Sequence, residues 1–269
     1  MKFDINPAGT PLRYPRYERV QSRHGSTAKM LQALGLIKPK HRIKRISELA
    51  SPFEFALVPG AEAERALDEI GELRADCTPV ILGDPETAAK MLAPDRASLG
   101  TMPTEPDRID LDRWIAERLN DLKQYGIEPP RGPWPDAPGA KNRELTSLRS
   151  LTASRDFLPE IVVALVPTTE PGLLAPYLRY GDWNDCPSSA VHAAIARRWT
   201  GAYGATPVAF AGDVIECRVA RPVATQEQAM ELALEQFAYC PDIVLQGTQT
   251  LECLAAEILG SQYWFFWWD

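Results

Sequence analysis

Tyr263-Trp264-Phe265-Phe266-Trp267-Trp268-Asp269 closes the 269-residue chain and decides how its last third is built. Alternate residues of a strand point to opposite faces. Here both faces are aromatic, so the stretch reads as a strand inside a sheet with something packed over each side. Working backwards, Gly260 ends a helix that reaches Leu259 from a cap at Thr248, and Thr225-x-x-Gln228 is a capping box for a helix running to Tyr239. Residues 205–210 and 214–219 flank Ala211-Gly212-Asp213 as a β-hairpin, with Ile215, Cys217 and Val219 alternating inward. Residues 188–203 read as a helix, and Ile161-Val162-Val163-Ala164-Leu165-Val166 as a strand buried on both faces. The resulting order, β-α-β-β-α-α-β, is a mixed sheet flanked by helices, an α/β fold of the α+β kind.

The N-terminal half reads as a smaller βαβα lobe. Residues 53–58 and 78–82 have strand patterns, and residues 61–73 a helical one with Ala63, Leu67, Ile70 and Leu73 inward. Asp84 precedes Pro85 as a helix cap; such a turn can bind anions, but no further glycines follow to admit a phosphate, so a plain N-cap is the preferred reading. An amphipathic helix over 109–125, with Ile109, Trp114, Ile115, Leu119 and Leu122 apolar, stops at Gly126. The run Pro-Pro-Arg-Gly-Pro-Trp-Pro-Asp-Ala-Pro over 129–138 can join neither ladders nor helix interiors and should run extended. The expected organisation is a basic arm (1–48), an α/β lobe (49–128), a proline-rich linker (129–150) and a C-terminal domain (151–269).

Composition excludes several classes. A hydrophobic fraction of 45% and a charged fraction of 24% are globular values. No run approaches the roughly 18 apolar residues of a membrane span, and no secretory signal opens the chain, so the expectation is a cytoplasmic protein. Five cysteines without a C-x-x-C pair argue against a disulfide framework and a zinc ribbon. The net charge of −7 is uneven: residues 1–46 hold eleven Lys/Arg and two Asp/Glu, leaving the rest at −16. Tyr14 and Tyr17 lie among those cations in a pattern that would track a phosphate backbone. Docking on the acidic body or plain solvation is the stronger reading, so nucleic acid is not the expected partner. Met30, Leu31, Leu34 and Ile37 give part of the arm an apolar helical face.

The run Tyr180-Gly181-Asp182-Trp183-Asn184-Asp185-Cys186-Pro187, followed by Val191-His192, Arg218-Val219-Ala220-Arg221-Pro222, Tyr239-Cys240-Pro241-Asp242-Ile243-Val244 and the Phe266-Trp267-Trp268-Asp269 end, resembles the bacterial family catalogued as domain of unknown function 4253. The likeness runs from about Trp183 to Asp269. Upstream, Val58-Pro59-Gly60-Ala61 and Pro79-Val80-Ile81-Leu82-Gly83 are similar to an N-terminal portion of longer members. The resemblance implies a domain boundary and a set of positions to test, and no reaction.

Chemistry at those positions has one focus. Cys186 precedes a helix start, where the dipole favours a thiolate, and His192 lies further along that helix, a candidate nucleophile and base with Asp242 as a possible third catalytic group. Against this, His192, Ile195 and Trp199 share one stripe, as do Met230, Ala233, Phe237 and Cys240, which is the pattern of packing. Cys186, His192, Cys240 and Asp242 are possible zinc ligands in type, but they lack paired spacing, and neither a metal nor a cofactor is expected. Asn184 or Asp185 can cap the next helix. As a recognition surface the candidates are Tyr180, Trp183, Asn184, Asp185, Tyr239 and Cys240. Two functions follow: a non-enzymatic protein-binding module, immunity-like or regulatory, whose acidic body meets a basic partner; or a hydrolase or transferase using Cys186 with His192.

Overall fold

The computed structural model describes residues 4–5, 11–12, 53–92, 109–136, 144–151 and 154–269. Apart from a two-residue ladder between Asp4–Ile5 and Pro11–Leu12, the basic arm and its expected helix lie outside the described residues. By contacts the chain divides into two units, residues 1–101 with 148–169 and residues 102–147 with 170–269. The class is α+β, as the sequence pattern required.

The first unit holds β1 (Glu54–Val58), α1 (Ala63–Leu73), β2 (Thr78–Ile81), α2 (Pro85–Met91) and β3 (Ile161–Val166). The β1-α1-β2 run does not close into a pair of adjacent strands. Instead β3 lies between them, antiparallel to both, with Val58 opposite Ile161 and Ile81 opposite Val163. All six β3 residues are buried, the environment that a continuous aliphatic run requires. This strand, placed with the C-terminal domain by linear order, therefore clusters with the first unit. Ala63, Ala66, Leu67 and Ile70 form the buried stripe of α1; Leu73, expected inward, is 46% exposed because it occupies the helix's last turn. The Asp84 carboxylate accepts from Thr87 N at 2.8 Å with Pro85 at the first helical position. It is the plain cap.

The second unit begins with α3 (Leu111–Gln124), which buries only Leu111 and Leu122. The chain then runs without regular structure over 127–136, as the prolines dictate, and it is held in place: the Pro130 carbonyl accepts from Leu251 N at 2.9 Å, and Glu252 accepts from Gly132 N at 2.8 Å and Arg131 Nε at 2.7 Å. A short α4 (Leu174–Leu178) precedes α5 (Ser189–Tyr203), β4 (Ala205–Ala211), β5 (Val214–Val219), α6 (Gln226–Tyr239), α7 (Leu251–Ile258) and β6 (Tyr263–Trp267). Strands β4, β5 and β6 pair antiparallel in that order. Pro207 has no N–H to give the ladder, and the register slips between it and Ala209.

Capping departs from the expectation at two helices. Thr225 caps α6 as expected, and the Gln228 amide oxygen accepts from Ala224 N at 3.4 Å; α5, however, is capped by Ser188 and not by Asn184 or Asp185, which lie upstream in the loop, where Asp185 pairs with Arg118 instead. The cap of α7 is Thr250, two residues after Thr248. Residues Ile243–Thr248 are wound as a π-helix ending at Gln249 with φ of 69°, which moves the start of α7 downstream.

The aromatic tail is only half of what its pattern suggested. Trp264, Phe266 and Trp268 are buried, but Tyr263, Phe265 and Trp267 are half-buried, and among the described residues β6 pairs with β5 alone. The buried row meets aromatic rings of α5 and α6: Trp199 stacks on Phe266 at 5.2 Å, and Tyr239 meets Phe266 and Trp268 edge-on at 5.1 and 5.2 Å. Each such pair adds about 0.5–1.5 kcal/mol to the burial of its rings. The opposite face of β5 carries the unexpected buried charge Glu216. Its carboxylate accepts from Thr146 N and Oγ1 at 2.6 and 2.7 Å and from Ser147 N and Oγ at 3.0 and 2.5 Å. Burial is possible because every strong acceptor direction is filled.

Candidate functional site

The loop between α4 and α5 is locally unusual. Arg179, Gly181, Asp182 and Asn184 have φ of 52°, 118°, 65° and 45°, in a region that L side chains rarely adopt. Glycine is obligatory at 181, where a Cβ would sit 2.2 Å from the Pro187 carbonyl oxygen. Two backbone bonds close the loop, Asp182 N to Pro187 O at 3.2 Å and Cys186 N to Trp183 O at 2.8 Å. Underneath, the Tyr180 ring meets Trp183 edge-on at 4.6 Å and Phe210 at 5.1 Å. Outside, Arg118 on α3 reaches Asp185 at 2.6 Å.

Cys186 ends this loop, and the first turn of α5 carries His192 to it. The Cys186 Sγ lies 3.4 Å from His192 Nε2, and His192 Nδ1 lies 2.6 Å from the Tyr239 hydroxyl at the end of α6. The two Cys-Pro helix boundaries therefore meet on Tyr239, through His192 on one side and through its own neighbour Cys240 on the other. The imidazole is walled by Tyr180, Tyr239 and Trp268, each edge-on at 5.4 to 5.5 Å. Cys186, His192 and Tyr239 are 5%, 3% and 3% exposed. Beside them is a cavity of about 10 Å³, the room of a single water, lined by His192, Tyr239, Cys217, Trp199, Phe210 and Pro171.

Burial sets the protonation states. It pushes the His192 pKa down to about 3, opposed only by a hydrogen bond with the Pro187 carbonyl, and it raises the Tyr239 phenol and the Cys217 thiol. Cys240, whose Sγ donates to the Trp267 carbonyl at 2.9 Å, is pushed up to about 12. Histidine and tyrosine are thus both neutral at physiological pH. An imidazole held that low is a poor acceptor for a thiol proton, since the resulting charges would lie in an apolar cage. The chain Cys186–His192–Tyr239 has the connectivity of nucleophile, base and orienting group. In this enclosed state it acts as an internal pin.

The remaining candidates separate from it. Asp242 accepts from Gln246 Nε2 and Asp269 N, both at 3.2 Å, and so holds the chain end. Cys186, His192, Cys240 and Asp242 do not assemble as a ligand set: among the described residues no group of three His, Cys, Asp or Glu side chains is placed to hold a metal ion. Tyr180, Tyr239 and Cys240 are buried, whereas Asn184 and Asp185 are exposed and Trp183 is half-buried. The sequence reading missed Arg118, which lies 67 residues from its partner Asp185. It also missed the contact of Trp268 with His192. Neither carries a local signal, since both depend on tertiary packing.

No curated protein and no solved structure matches the chain. Residues 162–269, which include every position the sequence offered for chemistry or recognition, match the family model described as a domain of unknown function, DUF4253, so over this C-terminal part the chain is similar to that family.

Proposed function

We propose that this is a cytoplasmic, bacterial-type, non-enzymatic binding module, immunity-like or regulatory, whose acidic C-terminal unit engages a basic protein partner. The observation that carries the reading is the loop over 181–185. Its backbone is fixed by Gly181 and by two hydrogen bonds, its aromatic residues pack beneath it, and it holds Asp182, Asn184 and Asp185 exposed. A loop ordered before binding loses less entropy on association than a mobile one. Charge favours the same partner class: residues 170–269 contain twelve Asp/Glu, five Arg and no Lys, a net of −7. All five cysteines are free, as suits a reducing compartment.

The test is co-purification from the native host with the full chain and two variants. A one-to-one complex retained by Cys186→Ser and lost in Asp182→Asn/Asp185→Asn is the expected result. A complex that ignores the loop changes, or that fails equally with Cys186→Ser, overturns the reading.

The second reading, a hydrolase or transferase using Cys186, is favoured by the 3.4 Å contact with His192 and the hydroxyl behind it. It requires iodoacetamide to alkylate Cys186 much faster than the half-buried Cys253 at neutral pH. Equal, sluggish labelling removes it.

A further inference from the structure

We propose that the proline-rich stretch over 128–136 is a separate recognition element, a preformed polyproline ligand that offers Pro130-Arg131-Gly132-Pro133 to a protein domain with an aromatic-lined, acidic groove of the SH3 type. It is independent of the loop over 181–185 and of any partner that loop meets, and it lies upstream of the residues matched by the family model.

The dihedrals follow from the sequence. Proline fixes φ at about −65°, and a residue before proline is pushed into the extended region; in Glu128-Pro129-Pro130-Arg131-Gly132-Pro133-Trp134-Pro135 one rule or the other acts at every position but Arg131. Such a chain is a rod with three residues per turn, and hence with three edges. Exposure repeats with that period. Pro129, Gly132 and Pro135 are all half-buried, whereas the edge through Pro130, Pro133 and Asp136 and the edge through Glu128, Arg131 and Trp134 each have two exposed residues of three. The inward edge presses on the start of α7, where a Cβ on Gly132 would stand 2.9 Å from Thr250 Cγ2.

A rod held along one edge by its own protein offers the other two. Grooves that read PxxP exploit a helix whose conformational entropy is already low, and here the bonds from Leu251 N to Pro130 O and from Gly132 N to Glu252 lower it further before any partner arrives. Stiffness alone would not require a proline on an outward edge, yet Pro133 is exposed. Charge narrows the partner. Arg131 lies between the two prolines of the motif with its side chain 65% exposed, so the matching groove carries a carboxylate beside its rings. Arg131 bonds Glu252 through Nε, and Glu252 keeps a donor in Gly132 N when the guanidinium turns to a partner.

The experiment titrates the full chain into a panel of purified SH3-type domains by calorimetry, beside the synthetic peptide of residues 127–138. At least one domain is expected to bind the full chain with a Kd on the order of 10–100 μM, about threefold or more tighter than it binds the peptide, which has still to be ordered. Pro130→Ala/Pro133→Ala and, separately, Arg131→Glu should each weaken that binding about tenfold. Arg65→Ala, on α1, should leave it unchanged. Urea midpoints report whether each variant is folded, and Pro133→Ala alone, at an exposed position, repeats the comparison if the double variant is not. No domain saturating below about 1 mM, binding that ignores the proline changes, or a peptide that binds more tightly than the folded chain overturns the proposal.

Discussion

The central strands of the two units are built on opposite plans. β3 in the first unit is Ile-Val-Val-Ala-Leu-Val, buried at every position. β5 in the second unit is Val-Ile-Glu-Cys-Arg-Val, with a carboxylate at its middle satisfied by four donors from Thr146 and Ser147, and in the same unit Tyr180, Tyr239 and Trp268 enclose the His192 imidazole. An aliphatic strand needs only shape, so its tolerance scales with the atoms removed. A strand with buried polar groups needs each partner present, and one missing partner leaves a group stranded in a dry interior.

All seven tryptophans, 114, 134, 183, 199, 264, 267 and 268, lie in the second unit, so indole fluorescence reports the second plan and not the first. The largest expected effect is from Phe266→Ala, which removes the ring between Trp199 and Tyr239: a loss of about 4 kcal/mol in urea unfolding followed by fluorescence. A loss below about 1 kcal/mol would mean that the tail is an appendage. Glu216→Leu should cost about 3 kcal/mol and strip hydrogen-exchange protection from the Thr146 and Ser147 amides, because four donors lose their acceptor. In contrast, Val163→Ala in β3 should cost about 2 kcal/mol with no specific amide exposed, the signature of volume alone. If Glu216→Leu proved milder than Val163→Ala, the contrast between the plans would collapse.

A smaller effect concerns pH. The folded-state pKa of His192 is depressed to about 3 against an ordinary 6.5, so the unfolded chain binds the extra proton first. Stability from this group is complete above about pH 6.5 and declines as pH falls from there toward 3, with a loss of about 1 kcal/mol between pH 7 and pH 5.5. Urea midpoints across that window should slope in the wild type and flatten in His192→Gln; a flat wild-type profile would show the ring to be hydrated. The smallest effect is from Arg65→Ala, whose pairs with Glu62 and Glu69 at 3.3 Å are surface contacts, with an expected change under about 0.5 kcal/mol.

Much of this was legible residue by residue. The caps at Asp84 and Thr225, the apolar run of β3 and the inward Ile215, Cys217 and Val219 are local signals set by dihedral preference and periodicity, whereas the cap of α5 fell to Ser188 in place of the expected Asn184 or Asp185. The spacing of Cys186 and His192 across a helix start also placed their side chains within reach. What was hidden is pairing at long range. No periodicity places β3 between β1 and β2, gives Glu216 its donors 69 and 70 residues away, or hands Asp185 to Arg118. Thr248 misled because a π-turn consumed the residues that an ordinary helix start would have used.

The outer rim of β6 has a consequence for self-association. Backbone groups of Gln262 and Trp268 bond toward β5, so by alternation those of Tyr263, Phe265 and Trp267 point away from it, where a strand from another molecule would add. At both ends of that rim the carbonyls are already taken: Tyr263 O by the Ser261 hydroxyl at 2.7 Å and Trp267 O by the Cys240 thiol at 2.9 Å. A hydroxyl and a sulfhydryl thus occupy two of the acceptors with which an added strand would have to pair, so the outer rim of β6 is blunted at both ends.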